Sequence, residues 1–103
     1  MALDLSVHLD SIRVLCERYH VERLFVFGSA VTEDFVPGRS DVDFLVAFKP
    51  LSPAERAQSY FGLKASLARL LGSQVDLVSV DPIRNPYVRA TVEATRVPLY
   101  AAA

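Results

Sequence analysis

Residues 24–48 read LFVFGSAVTEDFVPGRSDVDFLVAF, and this stretch decides the fold. Its first four residues are apolar or aromatic and are followed by Gly28, a pattern typical of a short strand buried on both faces. Residues 30–40 contain a polar and turn-forming set, so they predict a short helical turn and a loop. The set is Thr32, Glu33, Asp34, Pro37, Gly38, Arg39 and Ser40. Residues 41–48 predict a second strand. The relative direction of the two strands stays open, because the link between them is short.

Apolar residues upstream of this stretch recur at intervals of three and four and predict an opening helix over about residues 5–19. They are Leu5, Leu9, Ile12, Leu15, Cys16 and Tyr19. Cys16 is the single cysteine, so it has no partner for an intramolecular disulfide. We expect it in the core, where thiols commonly act as small hydrophobes.

Downstream, residues 52–55 read Ser-Pro-Ala-Glu and carry three helix-start signals. These are a serine N-cap, proline at the first helical position and the glutamate of a capping box. Gly72 stands where a left-handed C-terminal cap would end that helix. Residues 74–80 then predict a third strand.

The C-terminal segment contains Asn85-Pro86, which repeats the pattern of a cap followed by proline. It predicts a last helix from about Pro86 to Thr95. An extended segment follows at residues 97–100, and we expect residues 101–103 to fray.

The order of elements predicts an α/β fold of the two-layer α+β type, in which helices pack on a small mixed β-sheet. The connection from the second to the third strand passes through a helix, so it should be right-handed and join parallel strands. With 103 residues, of which 51% are hydrophobic, the chain fits a single domain over residues 1–103 with one modest core.

Charge and hydropathy exclude several classes of protein. Eleven basic and twelve acidic residues nearly cancel, so no long-range field attracts nucleic acid, and we expect no direct nucleic-acid binding. No run approaches the roughly 20 apolar residues needed to span a bilayer, and the first residues lack the pattern of a signal peptide. The chain is therefore expected to be soluble and cytoplasmic, with no membrane partner.

Three aspartates are the candidate chemical groups. Asp41 and Asp43 open the second strand, where a spacing of two residues directs both side chains to one sheet face. Asp76 lies within the apolar third strand, where a buried carboxylate is costly without a partner or a cation. If the two strands are neighbours, the three carboxylates converge on a site suited to hard divalent cations such as magnesium.

A second interpretation needs no metal: Asp41 caps the strand entrance, Asp43 faces solvent and Asp76 lies on a wet sheet edge. For an isolated Asp-x-Asp pair this is the commoner situation. Gly28-Ser29 adds weight to the first interpretation, because a glycine after a buried strand permits a tight turn and the close approach of a ligand. The N–H groups of such a turn and the Ser29 hydroxyl suit phosphate oxygens.

In combination, residues 25–30 (Phe-Val-Phe-Gly-Ser-Ala) and 40–46 (Ser-Asp-Val-Asp-Phe-Leu-Val) resemble the Gly-Ser and Asp-x-Asp signature of DNA polymerase β-like nucleotidyltransferases. The likeness is to the minimal nucleotidyltransferase group in particular. It spans nearly the whole chain, because that group also has an opening helix, a third aspartate in a Val-Asp-Leu strand and an ending like that at 97–101. The resemblance implies a polymerase β-like nucleotidyltransferase fold.

The resemblance also implies a role for each candidate residue. Asp41, Asp43 and Asp76 would be catalytic and would hold two Mg²⁺ ions, with Asp76 also helping to activate the attacking hydroxyl. Gly28 and Ser29 would bind the triphosphate of the substrate, ATP. The ions would neutralise phosphate charge and align the hydroxyl opposite the pyrophosphate leaving group, without covalent catalysis.

The chain departs from the family pattern shortly after Ser29, where many relatives carry an arginine and this chain has Val31 and Thr32. Arg39 is the candidate nucleotide-binding residue that would supply the missing charge, and Lys49 is the alternative. A solvated loop position for Arg39 stays open as well. For the C-terminal arginines, ordinary solvation is the default expectation, and a place in the nucleotide pocket or a contact with an acidic partner is the alternative. They are Arg84, Arg89 and Arg96.

The resemblance finally implies a partner. Minimal nucleotidyltransferases are often paired with a helical HEPN-domain toxin, and as the antitoxin they transfer AMP from ATP to a toxin tyrosine. We therefore predict a metal-dependent protein adenylyltransferase of that kind, in a homo- or hetero-oligomer. One alternative is a non-catalytic antitoxin of the same fold that neutralises its partner by contact. The other is nucleotidyl transfer to a small-molecule hydroxyl.

Overall fold

The computed structural model describes residues 4–31, 40–79, 90 and 96–102. These residues form a four-stranded sheet with two α-helices, which confirms the predicted mixed α+β architecture. The strands are β1 (Val21–Phe27), β2 (Val42–Phe48), β3 (Val75–Ser79) and β4 (Val97–Ala101), and the helices are α1 (Leu9–Arg18) and α2 (Pro53–Leu71). Short 3-10 turns cover Ser6–His8 and Gly28–Val31.

The sheet order is β3-β2-β1-β4. β2 and β3 are parallel, as predicted for two strands joined through a helix. β1 is antiparallel to both β2 and β4. The relative direction of these first two strands was open from the sequence, and the structure shows that β1 and β2 are antiparallel.

The C-terminal segment is more ordered than its composition indicates. β4 extends to Ala101, and the Ala102 N–H donates a hydrogen bond to the Glu22 carbonyl oxygen at 2.8 Å. The prediction that residues 101–103 fray is therefore wrong for 101 and 102, because backbone pairing with β1 holds them. The helix predicted at 86–95 lies outside the described residues except for Ala90, which is helical.

The main core lies on the sheet face that α1 and α2 cover. Alternate residues of β2 point into it, as the two-residue period of a strand requires. Its fully buried side chains are Val21 and Leu24 of β1, Val42, Phe44 and Val46 of β2, Ile12 and Cys16 of α1, and Leu63 and Leu67 of α2. Cys16 is thus a core residue, as predicted, and burial raises the pKa of its thiol to about 12.

Helix α2 begins and ends where the sequence predicts. The Ser52 hydroxyl accepts a hydrogen bond from the Glu55 N–H, and the Glu55 carboxylate accepts one from the Ser52 N–H, both at 3.2 Å. At the other end Gly72 adopts φ 63°, and its N–H donates to the Ala68 carbonyl. With both ends capped, α2 returns the chain to the start of β3, directly beside β2. No helix in the described part of the chain is both long and apolar enough to cross a membrane.

Candidate active site

One end of the sheet brings together the segments that carry the candidate residues. β1 ends at Phe27, which pairs with Asp43 in the antiparallel β1–β2 ladder. In the parallel β2–β3 ladder Asp43 pairs with Asp76. Gly28 follows Phe27 directly. The strand adjacency on which the convergence of Asp43 and Asp76 depended is therefore present.

Asp43 and Asp76 interact strongly, because adjacent strands lie only about 4.8 Å apart and paired residues share a sheet face. The pKa of Asp43 is raised to about 6. Partial burial is the largest cause, followed by the negative charge of Asp76, a hydrogen bond between the two carboxyl groups, and the charge of Asp41. The pair therefore shares a proton more readily than two solvated carboxylates would.

The burial of the two partners differs from the expectation. Asp76 is exposed on β3, an edge strand of the described sheet, so the expectation of a buried carboxylate is wrong, and the second interpretation, a wet sheet edge, is correct for this residue. Asp43 is the half-buried member, which excludes the alternative in which it simply faces solvent. The carboxylate whose ionised form is destabilised by burial and by neighbouring charge is therefore Asp43.

An apolar cluster on the same sheet face explains the partial burial of Asp43. Phe27 and Leu45 are buried there, and Phe25 and Val78 pack against them. Phe27 is the direct cross-strand neighbour of Asp43, and Leu45 follows it at the next position on that face. The carboxylate pair therefore lies at the border of an apolar patch, where water screens its charge less than on an open surface.

Gly28 contacts the carboxylate of Asp43 so closely that a side chain at this position would displace the carboxylate. It adopts φ +70°, and a Cβ placed on it would lie 2.6 Å from Asp43 Oδ2. Glycine is needed both for the backbone conformation and for this contact. The group that approaches Gly28 in the structure is the Asp43 carboxylate, and the predicted approach of a ligand to Gly28 stays a prediction. Ser29 follows in the 3-10 turn and is half-buried.

Asp41 lies outside the β2–β3 ladder that pairs Asp43 with Asp76. It precedes β2, is half-buried, and contributes negative charge to Asp43. Within the ranges that the structure describes, no group of three carboxylate, histidine or cysteine side chains is arranged to hold a metal ion. The structure thus presents a carboxylate pair, Asp43 and Asp76, with Asp41 as a more distant contributor.

Two residues were predicted to supply the positive charge of the missing arginine, Arg39 and Lys49. The prediction for Lys49 is wrong, because Lys49 lies too far from the carboxylates. It follows the far end of β2, about 20 Å from Asp43 at the rise of an extended strand. Its N–H donates to the His20 carbonyl at that end. Arg39 lies outside the described residues, so its proposed contact with the nucleotide stays a prediction.

Arg96 is a cation on the carboxylate face that no sequence motif singles out. Its guanidinium lies 5.3 Å from the centre of the Phe25 ring. Phe25 and Phe27 alternate on β1, so both lie on the side of the sheet that carries Asp43. The cue in the sequence was β4 itself: its register pairs Pro98 with Phe25, so Arg96, two residues earlier, lies on the same face within diagonal reach of Phe25.

Known proteins share this sequence pattern and this fold. Residues 10–98 match the family model described as a nucleotidyltransferase domain. A protein of Methanocaldococcus jannaschii that is provisionally named a protein adenylyltransferase is 35% identical over 81 residues, which cover 79% of each chain.

Solved structures agree. One that is provisionally described as a minimal nucleotidyltransferase is 34% identical, with a TM-score of 0.69, and the match covers 96% of this chain and 97% of that one. A chain from the Shewanella oneidensis complex of a tri-AMPylated HEPN toxin with its MNT antitoxin is 20% identical, with a TM-score of 0.62, over 96% of this chain and 74% of that one. At that identity the second likeness shows the fold alone.

Proposed function

This chain belongs to the nucleotidyltransferase domain family, and we propose that it transfers AMP from ATP to a tyrosine hydroxyl of a HEPN-type partner protein, as the antitoxin of a toxin–antitoxin pair. The observation that carries the proposal is the in-register pair of Asp43 and Asp76, with Gly28 held against Asp43. In this arrangement the carboxylate pair suits a cation, and the N–H groups of the adjacent glycine turn suit a phosphate.

The pair fits a divalent cation such as Mg²⁺ by its chemistry. Its carboxylate oxygens are the hard donors that Mg²⁺ prefers. A cation would also relieve the mutual repulsion that helps to raise the pKa of Asp43. Asp43 and Asp76 would hold one ion, and Asp41 with Asp43 a second. When bound, the ions neutralise phosphate charge and lower the pKa of the acceptor hydroxyl.

The turn after β1 would hold the triphosphate. Gly28 has no side chain to obstruct the approach, and the N–H groups of the turn, with the Ser29 hydroxyl, suit phosphate oxygens. Arg96, which stacks on Phe25, would add positive charge on the same sheet face. Arg39 stays a further candidate for this role.

The exposure of Asp76 suits a group that receives the acceptor. In the proposed reaction the tyrosine oxygen forms a bond to the α-phosphorus of ATP, and the bond from that phosphorus to the bridging oxygen breaks. Pyrophosphate leaves, and the hydroxyl proton passes to Asp76. A solvent-facing carboxylate accepts this proton without a channel, whereas half-buried Asp43 serves better as a fixed anchor.

The choice of acceptor is supported by the relatives. The Methanocaldococcus jannaschii relative carries the name of a protein adenylyltransferase, and in the Shewanella oneidensis complex the toxin is AMPylated. Those statements concern those proteins. The likeness of this chain to the Methanocaldococcus jannaschii relative supports the same class of acceptor here, while its likeness to the chain of the complex concerns the fold.

The test is AMP transfer to the product of the gene next to this one, which the proposal expects to be a HEPN-domain protein. Wild-type protein, ATP and Mg²⁺ should raise the intact mass of that protein by one or more AMP groups, and the double variant Asp41→Ala/Asp43→Ala should not. An unchanged mass with the wild type would contradict the proposal. If the double variant still protects cells from the partner, the chain neutralises by contact instead.

A further inference from the structure

A groove on the surface adjoins one of the candidate catalytic residues. It has a volume of about 630 Å³ and lies between α2 and β3. Phe61, Lys64 and Ala65 form its helix wall, and Asp76 lies on its strand wall. Two other grooves, of about 460 and 390 Å³, are lined by none of the three candidate aspartates.

The direction of the chain determines which groove residues lie near Asp76. α2 and β3 run in opposite directions from the turn at Gly72, so residues far from Gly72 on the helix lie opposite residues far from it on the strand. At 1.5 Å per helical residue and about 3.3 Å per strand residue, Phe61 and Asp76 lie at similar distances from the turn. Phe61 and Lys64 therefore belong to the Asp76 end of the groove.

The side chains at that end suit a polypeptide. Phe61 is 66% exposed, and its ring meets the Tyr60 ring edge to face with 5.1 Å between the ring centres, which leaves a large apolar surface open to solvent. Exposed aromatic residues next to a site commonly anchor a partner chain. Lys64, one helical turn later, places a positive charge beside it.

We propose that this groove, the acceptor groove, binds the polypeptide segment that flanks the modified hydroxyl, with an apolar side chain on Phe61 and a carboxylate on Lys64. The inference rests on the proposed function, in which Asp76 receives the acceptor hydroxyl. That hydroxyl must come within about 3 Å of the Asp76 carboxylate. The Asp76 side chain lies on the sheet face opposite α2, but β3 is the edge strand of the described sheet. A segment bound in the acceptor groove can therefore pass round this edge and bring its hydroxyl to the Asp76 carboxylate.

A bulky thiol label tests the groove without disturbing the core. Ala65 is an exposed groove residue, and Ala54 is an exposed alanine of the same helix outside the groove. The native thiol of Cys16 is 0% exposed and will not react. Maleimide-labelled Ala65→Cys should bind the neighbouring HEPN-domain protein at least about tenfold more weakly, and labelled Ala54→Cys within about twofold of wild type.

Kinetics give an independent measure. Phe61→Ala and Lys64→Glu should each raise the KM for the acceptor protein about tenfold, with kcat and the Kd for ATP within about twofold of wild type. A purely structural role for these residues would instead lower kcat or the melting temperature. Unchanged KM in both variants would overturn the proposal.

Binding in the absence of ATP separates this inference from the proposed function. If the label at position 65 blocks binding while the wild type transfers no AMP, the groove is supported and the proposed reaction is contradicted. If the wild type transfers AMP and the label changes neither binding nor transfer, the groove is contradicted and the reaction stands. If the wild type neither binds the partner nor transfers AMP, both fail.

Discussion

The two faces of the sheet differ in what their side chains do. The face under α1 and α2 carries buried apolar side chains from both helices and from β1, β2 and β3. The opposite face has a small apolar cluster around Phe27 and Leu45, bordered by Asp43 and Asp76. One face therefore provides most of the hydrophobic stabilisation, and the other holds charges whose repulsion opposes folding.

Asp43 and Phe44 make this difference testable, because they are consecutive residues of β2 that point to opposite faces. Phe44 is 0% exposed, whereas Asp43 is half-buried next to another carboxylate. Changes at one position should affect mainly stability, and changes at the other mainly AMP transfer. A result in which both changes act on the same property would break the comparison.

The largest effect is expected from truncation in the core. Phe44→Ala should lower the free energy of unfolding by about 3–5 kcal/mol, from lost transfer energy and the cavity left behind. Urea unfolding followed by circular dichroism measures it. Should Phe44→Ala not fold, Phe44→Leu provides the milder case, with AMP transfer per folded molecule close to wild type. A Phe44→Leu protein that folds fully but transfers no AMP would show that the faces are not separable.

Asp43→Asn should lower kcat for AMP transfer by about a thousandfold, because it removes a charge aimed at the metal and phosphate while keeping the shape. The folded structure should persist. A second readout is the melting temperature: Mg²⁺ should raise it for the wild type and leave it unchanged for the variant. An equal Mg²⁺ effect in both proteins would show that the ion binds elsewhere.

A comparison of Gly28 with Gly72, which also has a positive φ, separates the effect of the Gly28–Asp43 contact from that of backbone strain. Gly28→Ala forces the Asp43 carboxylate to move, and a displacement of about 1 Å should lower AMP transfer about a hundredfold. Gly72→Ala carries a similar backbone strain, but a Cβ there meets nothing within 4 Å. It should lower stability while leaving kcat unchanged. Equal losses of kcat in the two variants would mean that backbone strain, and not the contact, is responsible.

The smallest expected effect is on the pH dependence of stability without metal. Because the folded pKa of Asp43 is raised from 3.8 to about 6, the native state holds the proton longer than the unfolded chain. Its favourable contribution is present below about pH 4 and is lost as the pH rises through about 6. In EDTA, the melting temperature of Asp43→Asn should therefore match that of the wild type near pH 4 and exceed it at pH 7. A difference that does not change with pH would contradict the assigned pKa.

The sequence predicted the elements whose signals are local. The capping box at Ser52 and the cap at Gly72 set both ends of α2, and the Asp-x-Asp spacing located Asp43 at the start of β2. Strand order and edge positions depend on contacts between distant residues, so the sequence left them open. For that reason the exposure of Asp76 was misjudged and Lys49 was placed too near the site.

The pairing of β4 is another case of a distant contact. An extended segment was evident at 97–100, but its place beside β1 depends on the whole sheet. The stacking of Arg96 on Phe25 follows from that pairing and could not be read before it. A single sequence does not predict the role of a residue such as Arg96, because that role depends on strand pairing and not on a motif.

The ladder between β2 and β3 has a consequence for protein engineering. The separation of Asp43 and Asp76 is determined by hydrogen bonds between two backbones and not by the packing of side chains around them. Core residues beneath the pair can therefore be exchanged while the two carboxylates keep their spacing. A slip of one residue between the strands would turn Asp76 to the opposite face. A redesign of the connection through α2 must therefore keep its length, because the length sets the register of β3 against β2. Its composition can vary more freely.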